Sequence, residues 1–364
     1  MRILYFSLDY TPHDYRFLTS LAAAGYEVFY ARLQTRALED RLLPPEVEQV
    51  RWEGETEHFH WRDLPRKVSA FRHLWQRIKP DLVHAGPIQT CAFIAAMAGV
   101  SPLLTMSWGF DLMEDAERNA WWRWTTRYTL RRSTFFVSDA EVTRRKAIAY
   151  GMPAERTQVF PWGVDLQHFA PPSRARFPTD HYHLLCNRSW EARYGVDVLV
   201  RAFIRLARER DDVSLFLLGN GSQAPLIHHL LQEGGVWERV YMPGRISNAD
   251  LPPWYHRAHL FISPSHVDGS SVSLMEALAC GLPVVVSDIP ANREWVEEGV
   301  NGWLFPDGED KALSEVLLRV LAEPFRLPQI GQAGRQVAEA RADWRKNFQK
   351  LIQAYQDALQ YVNK

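Results

Sequence analysis

Short apolar runs alternate with helix-length segments of mixed polarity along the whole chain, the pattern that a parallel sheet covered by helices imposes. In the first half, "RILYFS", "EVFYARL", "DLVHA", "PLLTMS" and "TFFVS" are predicted strands. "RFLTSLAAAGYEV", between the first two, reads as a helix closed by Gly25, since glycine accepts the conformation that ends helices. The pattern breaks near Phe160, where "VFPWGVDLQHFAPPSRARFPTD" has prolines and no periodicity and predicts a linker. It restarts with a strand at "HLLCN", a helix at "GVDVLVRAFIRLARERD", a strand in "VSLFLLGNGS" and another at His259–Ser263. The tail "ADWRKNFQKLIQAYQDALQYV" places Trp344, Phe348, Leu351, Ile352, Tyr355 and Leu359 at helical spacing.

The expected architecture is α/β, with two domains. The first covers residues 1–165, the second 166–345, and a final helix covers 346–364. A length of 364 residues is more than one ordinary core. The formal net charge of −1 argues against a nucleic-acid partner, which usually requires a large basic excess. Cys91, Cys186 and Cys280 are far apart and form no Cys-x-x-Cys pair, so a zinc knuckle is not expected and a reducing compartment is. The opening "MRILYFSLDY" is strand-like rather than a secretory leader. No apolar run reaches the ~18 residues of a membrane-spanning helix. A cytoplasmic location follows as the expectation, with the inner face of a membrane as an alternative.

That alternative comes from two segments. "AERNAWWRWTTRYTLRRSTFF" interleaves Trp121, Trp122 and Trp124 with Arg118, Arg123, Arg127, Arg131 and Arg132. In "WRDLPRKVSAFRHLWQRIKP", six basic residues (Arg62, Arg66, Lys67, Arg72, Arg77 and Lys79) face the single acid Asp63. Either the tryptophans belong to the core and the basic residues to a solvated face, or the segments lie on an anionic membrane. The first reading is the expected one for most of them.

The candidate chemistry gathers in "SPSHVDGSSVSLMEALACGLPVVVSD", Ser263–Asp288. In an open parallel sheet, ligands bind beyond the carboxyl ends of the strands, at helix N-termini. "HVDGSS" lies at such a place, with Gly269 allowing close backbone approach and Ser270 or Ser271 as helix cap. Amides there favour an anion such as phosphate. With a helix starting near Ser271, Glu276 lies ~7.5 Å along the axis while Asp268 stays at the mouth. These acids suit hydroxyls at the two ends of a sugar–diphosphate–ribose ligand, or they are a turn residue and a solvated helix residue. Arg188 and Arg193, in the loop after "HLLCN", would open onto the same sheet edge and neutralise a diphosphate. The turn Gly219–Ser222, with Gly219 and Gly221, follows another strand.

Through most of its length the chain resembles the retaining glycosyltransferases of family 4. The resemblance is carried by "PWGVDLQHF", "NRSWEARYGVDVLVRAF", "LFLLGNGS", "PGRISNADLPPWYHRAHLFISPS", "DGSSVSLMEALACGLPVVVSD" and "NREWVEEGVNGWLFPDGE". It implies a GT-B fold, two Rossmann-like domains facing each other across a cleft, with the final helix crossing back to the first domain. By this resemblance Glu276 would hold the ribose hydroxyls of a UDP- or GDP-linked donor and Asp268 would contact the transferred sugar. Arg188 would bind the diphosphate, with Arg193 where the family usually has lysine. The loop from Ser270 to Val272 would meet sugar and phosphate, and backbone near Ile246 the base. Metal and other cofactors are not implied.

Three departures stand out. Asp268 replaces the usual Glu, one methylene longer, and Tyr194 is inserted before Gly195. The usual Gly-Gly loop after the first strand reads "SLDYTPHDYRFL" here. "HAGPIQT" keeps His84 but has Gly86 in place of a second His, leaving Gln89, His13 or "SWGFD", with Trp108 and Asp111, to make the missing contact. The implied activity is front-face, retaining hexosyl transfer to a glycan, lipid-linked or small-molecule acceptor. The alternatives are a nucleotide-sugar epimerase on the same fold, a nicotinamide-dependent dehydrogenase, and a silent sugar-nucleotide binding module.

Overall fold

The computed structural model describes residues 1–36, 39–174 and 176–362. Residue 175 of the predicted linker and residues 363 and 364 of the predicted final segment lie outside the described residues. The chain forms two compact units, one of Met1–Phe160 with Phe348–Lys364 and one of Pro161–Asn347.

In the first unit, strands β1 (Arg2–Ser7), β2 (Glu27–Arg32), β3 (Val47–Gln49), β4 (Leu82–Ala85), β5 (Leu103–Met106), β6 (Phe135–Ser138) and β7 (Thr157–Val159) make one sheet. Its order is β3-β2-β1-β4-β5-β6-β7, and every pair is parallel. Helices α1 (Pro12–Ala23), α2 (Leu64–Ile78), α3 (Phe93–Met97), α4 (Phe110–Met113), α5 (Ala120–Arg132) and α6 (Glu141–Ala149) make the connections. Residues of β4, β5 and β6 are buried throughout, which is why their sequences read as unbroken apolar runs. Helix α1 starts earlier than its apolar spacing predicts. Thr11 and Asp14 form a capping box, and Pro12 fills the first turn, where its missing N–H costs nothing.

The second unit repeats the plan with β8 (Tyr182–Cys186), β9 (Val213–Leu217), β10 (Val240–Tyr241), β11 (Leu260–Ser263), β12 (Val284–Ser287) and β13 (Trp303–Phe305). The order is β10-β9-β8-β11-β12-β13, again all parallel. Helices α7 (Val196–Glu209), α8 (Ala224–Glu233), α9 (Pro252–Arg257), α10 (Val272–Ala279), α11 (Pro290–Arg293), α12 (Asp310–Ala322) and α13 (Leu327–Arg341) follow. The last helix, α14 (Trp344–Val362), begins in the second unit and continues into the first from Phe348. The unit boundaries lie a few residues from the expected ones because Val164 pairs with Asp343 and its N–H donates to the Ala342 carbonyl at 2.7 Å. That pairing holds the entering and leaving chain within the second unit.

Two expectations are corrected. Trp121 and Trp124 are not core residues, being 43% and 45% exposed. Lys67 is not on the solvated face of α2. It is fully buried and donates to the Gly54 carbonyl at 2.8 Å, and burial lowers its pKa.

Candidate functional site

Strand order in the second sheet reverses direction between β8 and β11. Strands β9 and β10 extend one way from β8, and β12 and β13 extend the other way from β11. The loops leaving β8 and β11 therefore diverge and open a crevice, the usual ligand position in such sheets. Arg188 is two residues beyond β8, and Asp268 precedes α10 in the loop after β11.

These two side chains meet. The Arg188 guanidinium donates to Asp268 Oδ2 at 2.7 Å, and to the hydroxyls of Ser271 at 2.8 Å and Ser273 at 3.1 Å. The Tyr194 ring lies beneath it, 4.2 Å from the guanidinium carbon. The side chains of the pair are only 10% and 15% exposed. Burial raises the Asp268 pKa, against the opposing pulls of Arg188, the Gly269 N–H and the Ser271 hydroxyl. The Arg188 pKa is also raised: burial opposes its charge, but the Asp268 carboxylate holds the proton on. The inserted Tyr194 thus supports Arg188 from below.

Ser271 caps α10, accepting from the Leu274 N–H. Glu276 is five residues further on and 4% exposed. Tyr255 donates its hydroxyl to Glu276 Oε2 at 2.7 Å, and Asn248 donates to Oε1 at 3.2 Å. Asn187 donates in turn to the Tyr255 oxygen at 2.8 Å, linking Glu276 to the residue before Arg188. Arg188, Asp268 and Glu276 therefore belong to one network running from the loop after β8 to the middle of α10.

The other donor-side candidates frame this network. Gly269 is buried behind Asp268 and donates its N–H to it. The hydroxyl of Ser270 accepts from the Trp295 indole at 3.1 Å, and Val272 opens α10. Arg193 lies in the turn before Gly195, with its carbonyl accepting from the His266 N–H at 2.9 Å. Gly195 has a φ of +58°, and a Cβ there would be 2.2 Å from the Pro264 carbonyl oxygen, so the two loops are in backbone contact. Gly219 and Gly221 are explained by a similar approach. A Cβ would be 2.9 Å from the Arg188 carbonyl at the first and 2.5 Å from the Trp190 carbonyl at the second. Ile246 packs, half-buried, against the cluster that includes Tyr255 and Leu251.

The first-unit candidates separate into two groups. His84, Gln89 and Asp111 are turned into the interior. His84 is fully buried, with Nδ1 2.7 Å from the Tyr355 hydroxyl and Nε2 3.3 Å from the Met106 sulfur; burial lowers its pKa to about 3. Gln89 donates to the Asp111 carbonyl and the Thr126 hydroxyl. Asp111 accepts from the Ser107 hydroxyl and the N–H groups of Ile88, Trp108 and Leu112, and burial pushes its pKa up to about 6. These polar atoms hold the loop after β5 onto the segment after β4. His13, in the first turn of α1, and Trp108, in the loop after β5, instead come together with ring centroids 5.4 Å apart.

Sequence reasoning missed Tyr255, Asn248, Asn187 and Ser273. "PPWYHRAH" carries no motif at Tyr255, and only folding brings α9 against α10. Ser273 had a local signal, standing two residues beyond a helix cap beside a crevice. Among the described residues, no three His, Cys, Asp or Glu side chains converge to hold a metal ion.

Residues 172–337 match the family model described as Glycosyl transferases group 1, and residues 13–168 the model described as Glycosyltransferase Family 4. The chain belongs to glycosyltransferase family 4. A D-inositol 3-phosphate glycosyltransferase of Xylanimonas cellulosilytica is 31% identical over 57% of this chain and 53% of its own. A GDP-mannose-dependent alpha-(1-6)-phosphatidylinositol monomannoside mannosyltransferase of Mycolicibacterium smegmatis is 30% identical over 57% of this chain and 58% of its own. The aligned stretch is thus about half the length of these curated relatives. The fold is that of the GT-B enzymes. Sucrose-phosphate synthase from Thermosynechococcus elongatus superposes with a TM-score of 0.81 at 20% identity, covering 98% of both chains. Anabaena HepE in complex with UDP-glucose gives 0.79 at 20% identity, over 97% of this family 4 chain and 99% of its own.

Proposed function

We propose that this glycosyltransferase moves a hexosyl group from a UDP- or GDP-linked donor to a lipid-linked or glycan acceptor, with retention and without a metal. The observation that carries the reading is the buried Arg188 guanidinium held by Asp268, Ser271 and Ser273 at the start of α10. A diphosphate there takes over donors now given to these side chains, with Arg193 as a second cation. As the sugar–phosphate bond breaks, charge grows on the phosphate oxygen facing Arg188. Stabilising that charge more than the ground state accelerates the step.

Asp268, released from part of its ion pair, turns to the hydroxyls of the sugar. Glu276, oriented by hydrogen bonds from Tyr255 and Asn248 to its two oxygens, meets the ribose hydroxyls. Backbone from Ser270 to Val272 and at Gly219 lies beside the phosphates, and Ile246 beside the base. The acceptor oxygen bonds to the anomeric carbon on the face the phosphate leaves, and its proton passes to the leaving phosphate oxygen, so the configuration is retained. The donor bound by HepE and the donor and acceptor named for the mycobacterial relative are consistent with this substrate class. The cytoplasm, where nucleotide sugars are made, is the proposed location.

The test is to incubate the protein with UDP- and GDP-hexoses, with and without acceptor, in EDTA, and to follow nucleotide release and product anomer. Acceptor-dependent release with an unchanged anomeric configuration is expected. Glu276→Ala should weaken donor binding about 10- to 100-fold, as loss of charge-assisted hydrogen bonds implies. Release without glycoside, an isomerised donor, or wild-type affinity in Glu276→Ala would each overturn the reading.

A further inference from the structure

The first unit carries a surface that the donor site does not use. Helix α5 exposes Trp121 and Trp124, stacked with centroids 5.0 Å apart and planes 27° apart. Both lean on Phe93, which is fully buried, and Trp61 continues the patch at 5.5 Å from Trp121. The tryptophans thus roof the core without entering it, leaving two indoles in water.

The charge along α5 is one-sided. At about 100° per residue, the exposed arc of α5 runs through Arg123, Arg127 and Arg131 to Trp124 and Trp121, and ends at Arg132. Guanidiniums flank the indoles on both sides, and no acid occurs from Ala120 to Arg132. Arg62, in the turn before α2, and Arg66, in its first turn, are both exposed and extend the basic margin beside Trp61, with Asp63 between them.

We infer that this face docks on an anionic lipid bilayer. Indoles between guanidiniums match the headgroup layer, where Trp places its amphipathic ring and Arg meets phosphates. A second copy of the chain fits poorly, because a two-fold contact would place the patch on itself and oppose arginine to arginine. Among the described residues no helix is long and apolar enough to cross a membrane, so the contact is a surface one. It concerns the first unit alone and stands whether or not the proposed transfer reaction is correct.

The test is sedimentation of the full chain with vesicles of phosphatidylcholine alone or mixed with phosphatidylglycerol. Binding to the mixed vesicles, weakened by salt, is expected. Each exposed arginine near the surface contributes about fivefold in partitioning, so Arg123→Gln/Arg127→Gln should lose roughly 25-fold. The matched pair Arg208→Gln/Lys350→Gln, exposed elsewhere, should lose little. Trp121→Ser/Trp124→Ser should remove the binding that survives salt, with circular dichroism confirming the fold. Absence of binding to the anionic vesicles, or equal loss in the matched pair, would overturn the inference. So would a dimer that the tryptophan substitutions dissociate while vesicle binding persists.

Discussion

Replacing Arg188 by alanine separates the two things this side chain does. In the structure it offsets the charge of Asp268, and in the proposed reaction it offsets the charge of a diphosphate. Removal deletes three hydrogen bonds, at 2.7, 2.8 and 3.1 Å, and leaves the Asp268 carboxylate, 15% exposed, without its cation. Breaking a buried pair from one side costs about 3–5 kcal/mol. The residual exposure of Asp268 places this case near the low end, at about 3 kcal/mol. Its pH dependence has a definite sign. The Asp268 pKa is already raised by burial, and losing Arg188 raises it further. A carboxyl whose pKa is higher folded than unfolded binds its proton more tightly in the folded state, so folding is favoured as pH falls. The deficit of Arg188→Ala should therefore be greatest at neutral pH and shrink toward the ordinary carboxylate range. The assay is urea unfolding followed by circular dichroism at several pH values, for Arg188→Ala, Asp268→Ala and the double variant. The double variant, with no stranded charge, should be more stable than Arg188→Ala at pH 7 by roughly 1 kcal/mol or more. A double variant no more stable than Arg188→Ala, together with a deficit independent of pH, would refute the argument that this pair is electrostatically coupled.

Two other substitutions probe the same network. Tyr255→Phe removes the 2.7 Å hydrogen bond to Glu276; it should cost about 1.5–3 kcal/mol of stability and weaken nucleotide binding in a thermal-shift titration even though Glu276 is retained. Gly219→Ala forces a Cβ onto a residue with φ of +110° and to within 2.9 Å of the Arg188 carbonyl. It should cost at least about 1 kcal/mol and lower donor affinity by moving the Arg188 loop, whereas Gly25→Ala, which meets nothing within 4 Å, should lower stability only.

Legibility differed from residue to residue. Strands β1, β2, β4, β5, β6, β8, β9 and β11 were readable because burial on both faces demands continuous apolar runs. The edge strands β3, β7, β10 and β13 have only two or three residues each, too few to show a period. Ser271 was legible as a cap, because capping is a contact between near neighbours in sequence. Asp268 and Arg188 were legible as site residues but not as partners, since 80 positions separate them. Gln89 and Asp111 were candidate contacts because sequence reports side-chain type and not orientation. Burial then turned them inward. The tryptophans of α5 misled in the opposite sense, since apolar character suggested a core that the fold leaves half open to water.

Taken alone, the sequence determined what local physics can determine: parallel α/β alternation, the break near Phe160, the capped helix beyond a central strand, and the acids and guanidiniums beside it. Apolar periodicity and helix capping act over a few residues, so a linear text records them. Only the tertiary structure decided which charges compensate each other, that Tyr255 and Asn248 hold Glu276, which polar groups are sealed in the interior, and which indoles face water. Those outcomes depend on strand order and on loops brought together from distant positions, where burial and Coulomb attraction act across space and leave no spacing in the chain.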